Sequence, residues 1–238
     1  MANHTLSGAT GFLVGETTYG YFTNDIGDAN RKGVFWTPLF TRDYGVAAAL
    51  ATTNIVSGSS VTTAGSISMN GSLVSGGVAD LTIPRTLHIT STSDLSAIQM
   101  TITGTREYGV PQTETILLPN VTSVETQKTF LTVSGISIDS AHGTATTLVN
   151  VGIDNAFGLP YYASSLSSIV ACTVSGRSAT TLTFTAAFAA TGVATATTAD
   201  TCGKVKFGLV PDAAGTYSIT VVVPLSKDVT KVFGATPA

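Results

Sequence analysis

Hydrophobic and polar residues alternate along much of the later part of this chain, and a period of two predicts strands with one buried face. The clearest case is the segment 97–118, in which Ile98, Met100 and Ile102 alternate with polar residues. Glycines and a proline then interrupt the pattern before threonines and aliphatic residues resume it. The segment therefore predicts two strands joined by a turn.

Comparable segments follow one another from residue 81 onward, at intervals of roughly 8–15 residues. They predict strands over 81–90, 97–103, 113–118, 128–138, 145–151, 168–174, 180–184, 204–210 and 217–224. Weaker patterns at 53–57, 65–69 and 72–74 indicate further short strands, with a flexible linker as the alternative. Many short strands separated by turns predict an all-β fold, either a β-sandwich or a jelly-roll-like domain.

The first 44 residues differ from the rest because aromatic residues spaced by glycines replace the alternation. We interpret residues 1–44 as an extended N-terminal arm, 45–225 as the β domain and 226–238 as a C-terminal tail. Aromatic side chains supply large contact areas at interfaces. The arm residues predicted to contact a partner are Phe12, Tyr19, Tyr21, Phe22, Phe35, Trp36 and Phe40. The alternative is that these aromatics pack into the chain's own core.

Charge is sparse, since charged residues form 11% of the chain, against about 25% in ordinary soluble domains. None occurs between Asp43 and Asp80. Either much of the surface is covered in an assembly, or hydroxyl groups solvate it. The net charge of −3 and the lack of a basic stripe argue against a nucleic-acid partner.

Nothing in the sequence predicts a membrane protein or an exported one. No apolar run approaches the roughly 18 residues that span a bilayer. The first residues lack the basic and apolar regions of a signal peptide. We therefore expect the chain to stay in the compartment where it is made.

The candidate catalytic groups form no recognisable motif. His4, His88 and His142 lie outside any hydrolase or zinc-protease pattern, and turn positions are expected for them, although counting alone does not exclude a Ser–His–Asp triad. Glu107 and Glu114 flank the same turn and are expected to be solvated rather than to face each other across a groove.

The cysteines and the metal-ligating residues are equally few. Cys172 and Cys202 could pair if their strands are adjacent, or they could be two half-buried thiols. So few cysteines and histidines do not supply a zinc site. The sequence thus predicts no catalytic, cofactor-binding or metal-binding residue, and the chain is not expected to be an enzyme.

Several segments carry a resemblance to a known group of proteins. They are Arg85–Ile89, the segment 100–118 (MTITGTREYGVPQTETILL), Gln127–Ile138, Val151–Pro160, Asp200–Lys204 and Asp212–Tyr217. Together they resemble β-rich virion proteins of tailed bacteriophages, in particular the head-decoration or cement proteins. The resemblance covers roughly residues 81–224 and rests on turn-and-strand signatures.

This resemblance implies a jelly-roll-like homotrimer on the exterior of a capsid, where it would staple neighbouring subunits of the major capsid protein. Such a protein would be assembled in the host cytoplasm and would need no cofactor, nucleic acid or membrane. The sequence leaves two alternatives open. One is a tail, neck or fibre component of the virion, and the other is a carbohydrate-binding or adhesin β-sandwich.

Overall fold

The computed structural model describes residues 12–14, 17–23, 36–143, 146–161, 163, 166–175, 177–178, 182–185 and 202–222, with most side chains described from residue 39 onward. In chain order the strands are β1 (Phe12–Val14), β2 (Thr17–Thr23), β3 (Trp36–Val46), β4 (Val56–Ser60), β5 (Gly65–Ser66), β6 (Val74–Ser75), β7 (Val78–Ser91), β8 (Gln99–Thr105), β9 (Pro111–Leu117), β10 (Ser123–Glu125), β11 (Phe130–Ile138), β12 (Leu148–Gly158), β13 (Ile169–Val174), β14 (Arg177–Ser178), β15 (Leu182–Thr185), β16 (Lys204–Phe207) and β17 (Thr216–Val222). Two single-turn 3₁₀ helices lie at Glu107–Gly109 and Leu166–Ser168. None of the helices within these ranges has the length and apolar character to cross a membrane.

The strands form two antiparallel sheets. The first has six strands in the order β1-β2-β3-β17-β13-β14. The second has eleven, with the main path β15-β16-β12-β7-β11-β8-β9 and four short strands, β4, β5, β6 and β10, attached to it. Because β3 pairs with β17, strands from the two ends of the chain lie side by side in one sheet. The predicted all-β, sandwich-like architecture is confirmed.

The long strand β7 changes partner along its length. Its first half pairs with β11, where Ala79 lies opposite Val133, and its second half pairs with β12, where Ile89 lies opposite Val151. Between the halves, Thr82 takes a left-handed conformation with φ 59°. Residues of both halves enter one hydrophobic cluster, so the second sheet folds over and encloses a core of its own.

The hydrophobic residues divide into two clusters. The first lies within the second sheet and its loops and is built on Ile55, Leu87, Ile89, Met100, Ile102, Leu118, Phe130, Val133, Val151 and Ile153. The second joins the two sheets through Phe40, Tyr44, Phe157, Val205, Phe207, Tyr217, Ile219 and Val221. In the second cluster the rings of Phe157 and Tyr217 stack with centroids 5.1 Å apart.

Each of the nine strands predicted from residue 81 onward overlaps an observed strand. The largest difference is in β12, predicted over 145–151 but observed to continue to Gly158. The added residues pair with β16 and carry Phe157 into the second cluster. Alternation fails there because β12 is buried on both sides at that end.

The N-terminal arm is the main difference between expectation and structure. β1, β2 and β3 form an antiparallel meander, and β3 crosses the predicted boundary between residues 44 and 45. Tyr44 and Phe40 are buried in the second cluster. The last part of the arm is therefore an internal strand of the first sheet and not a separate extended segment.

Candidate functional site

The turn of the β8–β9 hairpin places two charged side chains and a tyrosine next to one another in the sequence. The backbone of Tyr108 (φ 60°, ψ 21°) and that of Gly109 (φ 70°) both adopt the left-handed conformation. The two central residues of a type I′ turn do the same, and this turn type is common in tight hairpins. Arg106 and Glu107 turn inward and are buried, whereas Tyr108 is 52% exposed. The turn thus presents an aromatic ring outward and a pair of charges inward.

The inward charges fix the turn to two other parts of the chain. Arg42 Nη2 of β3 lies 3.1 Å from Glu107 Oε1, and Arg106 Nη1 donates to Cys202 Sγ at 2.5 Å. Burial raises the pKa of Glu107, while the neighbouring Arg42 and Arg106 lower it in part. The expectation that Glu107 is solvated is wrong, because the turn docks against β3.

Aromatic rings continue from the turn into the second core cluster. The Tyr108 and Tyr161 rings have centroids 6.1 Å apart at 45°, and Phe40 meets Tyr161 edge-on at 5.0 Å. Phe40 is 5% exposed. Phe40 therefore packs in the protein's own core, as the alternative to the partner-contact prediction states. Its side chain is too buried in this structure to contact a partner directly.

Five of the other six arm residues predicted to touch a partner lie in the three N-terminal strands. Phe12 is in β1, Tyr19, Tyr21 and Phe22 are in β2, Trp36 begins β3, and Phe35 lies outside the described residues. The strand register places Phe12 opposite Tyr19 and Tyr19 opposite Phe40. The structure therefore brings Phe12, Tyr19 and Phe40 into one cross-strand row, ending at the edge strand β1.

Glu114, the second carboxylate expected to be solvated, is also buried. Its two oxygens accept the backbone N–H groups of Gln127 (2.8 Å) and Lys128 (2.9 Å), and Lys128 Nζ donates to the carbonyl of Thr113 at 2.6 Å. Burial raises the pKa of Glu114 to about 7, although the two N–H donors and the cations of Lys128 and Lys204 act against that rise. These contacts hold the β10–β11 connection against β9.

The histidines have structural partners where they are described. His88 lies in β7 and not in a turn, and its Nδ1 is 3.5 Å from Asp154 Oδ2. His142 Nδ1 is 3.0 Å from Thr147 Oγ1. His4 lies outside the described residues. The expectation of a turn position is wrong for His88.

A buried arginine that the sequence did not single out joins the two cores. Arg85 Nη2 donates to the carbonyl of Asp154 and Nη1 to that of Ala48 (3.2 Å), while the guanidinium lies 4.7 Å from the Phe157 ring centroid. Burial lowers the pKa of Arg85 to about 10, partly offset by Asp154 and Tyr217. In the sequence, the one indication of this buried arginine is its position inside an apolar predicted strand, between Pro84 and Leu87.

The remaining candidate ligands do not assemble. Cys172 and Cys202 are not joined by a disulfide; Cys172 is half-buried and Cys202 is buried. In the ranges that the structure describes, no three His, Cys, Asp or Glu side chains gather as a metal ion would require. The buried polar side chains described above mostly form hydrogen bonds with backbone groups, as Arg85, Glu114 and Lys128 do. Their role in this structure is to hold strands and turns in position.

Comparisons of the chain with models of protein families, with curated proteins and with solved structures find no match.

Proposed function

We propose that this chain is a non-enzymatic structural protein of tailed-phage particles that binds the outside of the capsid as a homotrimer and bridges major capsid subunits. The proposal rests on the segments that carry the phage resemblance, most of which lie in β7, β8, β9, β11 and β12 of the second sheet. Most buried residues of the first hydrophobic cluster lie in four of these strands, β7, β8, β11 and β12.

The observation that carries the proposal is the position of the arm strands. β1, β2 and β3 extend the first sheet beyond β17, and β1 pairs with β2 alone among the described strands. An edge strand offers a row of backbone N–H and C=O groups to which a partner strand can add. In the proposed mechanism the arm offers this edge to the capsid while β3 anchors it in the protein's own core.

Binding to the assembled shell alone would stabilise that shell by mass action, and three-fold engagement would multiply weak contacts into avidity. No chemical step is required of any residue. The side chains of Glu107, Glu114 and Arg85 stabilise the fold that positions the contacting strands, through an ion pair and hydrogen bonds to the backbone.

The experiment is co-sedimentation with empty shells that lack this protein. The structure sets where the arm should be cut: removing residues 1–44 would remove most of β3, whereas removing 1–35 leaves β3 paired with β17. The full chain should sediment with shells, and the 1–35 deletion should remain folded yet stay in the supernatant. Undiminished sedimentation of the folded deletion variant would contradict the edge-strand mechanism.

The carbohydrate-binding alternative requires exposed aromatics that form a platform on the core. Among the side chains whose exposure the structure describes, Tyr108 is the large exposed aromatic, and its ring is tilted 45° from that of Tyr161. The two rings therefore do not form a flat stacking surface, which favours the structural proposal.

A further inference from the structure

One asparagine–glycine pair occurs in the chain, at Asn70 and Gly71 in the loop between β5 and β6. In such a pair the backbone nitrogen of the glycine can attack the side-chain amide carbon of the asparagine, because glycine has no side chain to hinder the approach. The ring that forms is then opened by water. The Asn70 side chain is exposed, so water reaches it. The pair is therefore a candidate site of covalent modification.

The fold engages both reacting groups in other interactions. The Asn70 side chain pairs with the backbone of Ser57 in β4, since its Oδ1 accepts the N–H of Ser57 at 2.7 Å and its Nδ2 donates to the Ser57 carbonyl at 3.0 Å. The backbone N–H of Gly71 donates to the carbonyl of Ile55 at 3.0 Å. The Gly71 nitrogen must lose its proton to attack, and this hydrogen bond opposes that loss. The amide must also leave Ser57 before its carbon can approach that nitrogen.

The loop that carries the pair is docked closely against the segment before β4. A Cβ built on Gly71 would lie 2.1 Å from the carbonyl carbon of Asn54, so only glycine allows this approach. The N–H of Leu73 donates to the carbonyl of Asn54 at 2.9 Å, and the Leu73 side chain packs against the first hydrophobic cluster. The glycine that allows docking is therefore also the residue that makes Asn70 reactive when the loop opens.

We propose that Asn70 is a deamidation site controlled by the fold: its amide stays intact while the loop is docked and is lost once the loop opens. In the open loop the Gly71 nitrogen forms a bond to Cγ of Asn70, and the Cγ–Nδ2 bond breaks. The Nδ2 nitrogen leaves as ammonia and takes up the proton that the Gly71 nitrogen lost. Water then opens the ring at either carbonyl, which gives aspartate or isoaspartate at position 70. Water is the one co-reactant.

The product cannot dock as Asn70 does. Aspartate has no N–H to donate, so a carboxylate oxygen would face the carbonyl of Ser57 in place of the Nδ2 donor. Isoaspartate adds a methylene group to the backbone directly before Gly71, where the docked loop has no room for a Cβ. A chain whose loop has opened and reacted is therefore marked covalently and does not regain its original contacts. The inference goes beyond the proposed function and does not depend on it.

The test follows deamidation of the full-length chain at mildly alkaline pH by peptide mapping with mass spectrometry, in the folded state and unfolded in urea. Asn120 is the internal reference, because it is exposed but precedes the branched side chain of Val121. Leu73→Ala weakens the packing of the loop. Leu117→Ala is the matched control, since Leu117 is 54% exposed and lies in β9, outside the loop. Circular dichroism shows which samples are folded.

In urea, Asn70 should deamidate faster than Asn120 and at the same rate in all three chains. In folded wild type and Leu117→Ala the Asn70 rate should be at least about tenfold lower than in urea, because three hydrogen bonds must break first. Folded Leu73→Ala should react several times faster than folded wild type.

Equal Asn70 rates in folded and unfolded wild type, or no reaction in urea, would overturn the inference. So would a folded Leu73→Ala that reacts no faster than wild type, and the wild-type comparison decides the matter if that variant does not fold. Asn70→Asp represents the product and should unfold at a lower urea concentration than wild type. An unchanged midpoint would show that the product docks as well as the asparagine, which contradicts the inference.

Discussion

Arg42 of β3 and Glu107 of the β8–β9 turn form an ion pair, with Nη2 and Oε1 3.1 Å apart. The pair joins the N-terminal strands to the hairpin that carries the clearest sequence signature. The Glu107 side chain is 8% exposed and that of Arg42 is 22% exposed, so the carboxylate is the less solvated partner. The hairpin and the arm, which look independent in the sequence, are therefore coupled by this ion pair.

Removing Arg42 should cost more stability than removing the charge of Glu107. Arg42→Met leaves a buried carboxylate whose own environment disfavours ionisation, and we expect a loss of about 3 kcal/mol at neutral pH. Glu107→Gln leaves the better-solvated cation and should cost less. Urea denaturation of both single variants and the double variant measures the coupling between the two side chains. Strictly additive losses would show that the pair contributes nothing.

Gly104→Ala should be strongly destabilising. A Cβ at Gly104 would lie 1.9 Å from the carbonyl oxygen of Thr132 on the neighbouring strand β11. We expect a loss of more than about 3 kcal/mol, because backbone and not a flexible side chain must move. Gly135→Ala is the matched control on β11, since nothing lies within 4 Å of its Cβ position. Similar unfolding midpoints for the two variants would argue against the β8–β11 register.

Stability should fall as the pH rises from about 5 to 8. The pKa of Glu114 is raised from 4.5 in the unfolded chain to about 7 in the fold. Between these two pKa values the folded state holds a proton on Glu114 that the unfolded state has released. The free energy of unfolding therefore decreases as the pH rises through the pKa of the folded state and that proton is lost. A shift of this size corresponds to at most about 3 kcal/mol.

Glu114→Gln should flatten most of this pH dependence, with a smaller remainder of the same sign from Glu107, whose pKa is also raised. Asp94, Asp139 and Asp212 have lowered pKa values, so they act at more acid pH and leave this window clear. Thermal unfolding at a series of pH values measures the effect. A variant profile identical to that of wild type would show that Glu114 is ionised throughout.

Tyr108→Asn should leave the protein as stable as wild type or slightly more stable. Tyr108 is left-handed at φ 60°, a conformation that costs an ordinary L-residue about 1 kcal/mol or more and that asparagine accepts readily. Losing the ring contact with Tyr161 offsets part of the gain. Thermal unfolding checks this, with Tyr108→Phe as the control that keeps the ring. A loss above about 2 kcal/mol would mean that the exposed ring is a core element.

The sequence predicts the strands of the second sheet well because alternation is strong where one face is buried and the other is solvated. β8 is the clearest instance, with Met100 and Ile102 buried and Thr101 and Thr103 facing outward. Alternation is uninformative where both faces are covered, and this is why the second half of β12 was missed.

The arm and the buried charges were harder to predict for a different reason. Phe40 packs against Tyr161 and Tyr44 packs against Phe157, and both partners lie far along the chain, so no local pattern reveals these contacts. Glu107 and Glu114 look like surface carboxylates because their partners, Arg42 and the N–H groups of Gln127 and Lys128, become neighbours only after folding.

The most direct test of the proposed function is the location and copy number of this protein in purified virions, by cryo-electron microscopy and quantitative mass spectrometry. We expect density on the outer capsid surface and a copy number in fixed proportion to the major capsid protein. A few copies located at the tail or neck, or absence from the particle, would contradict it.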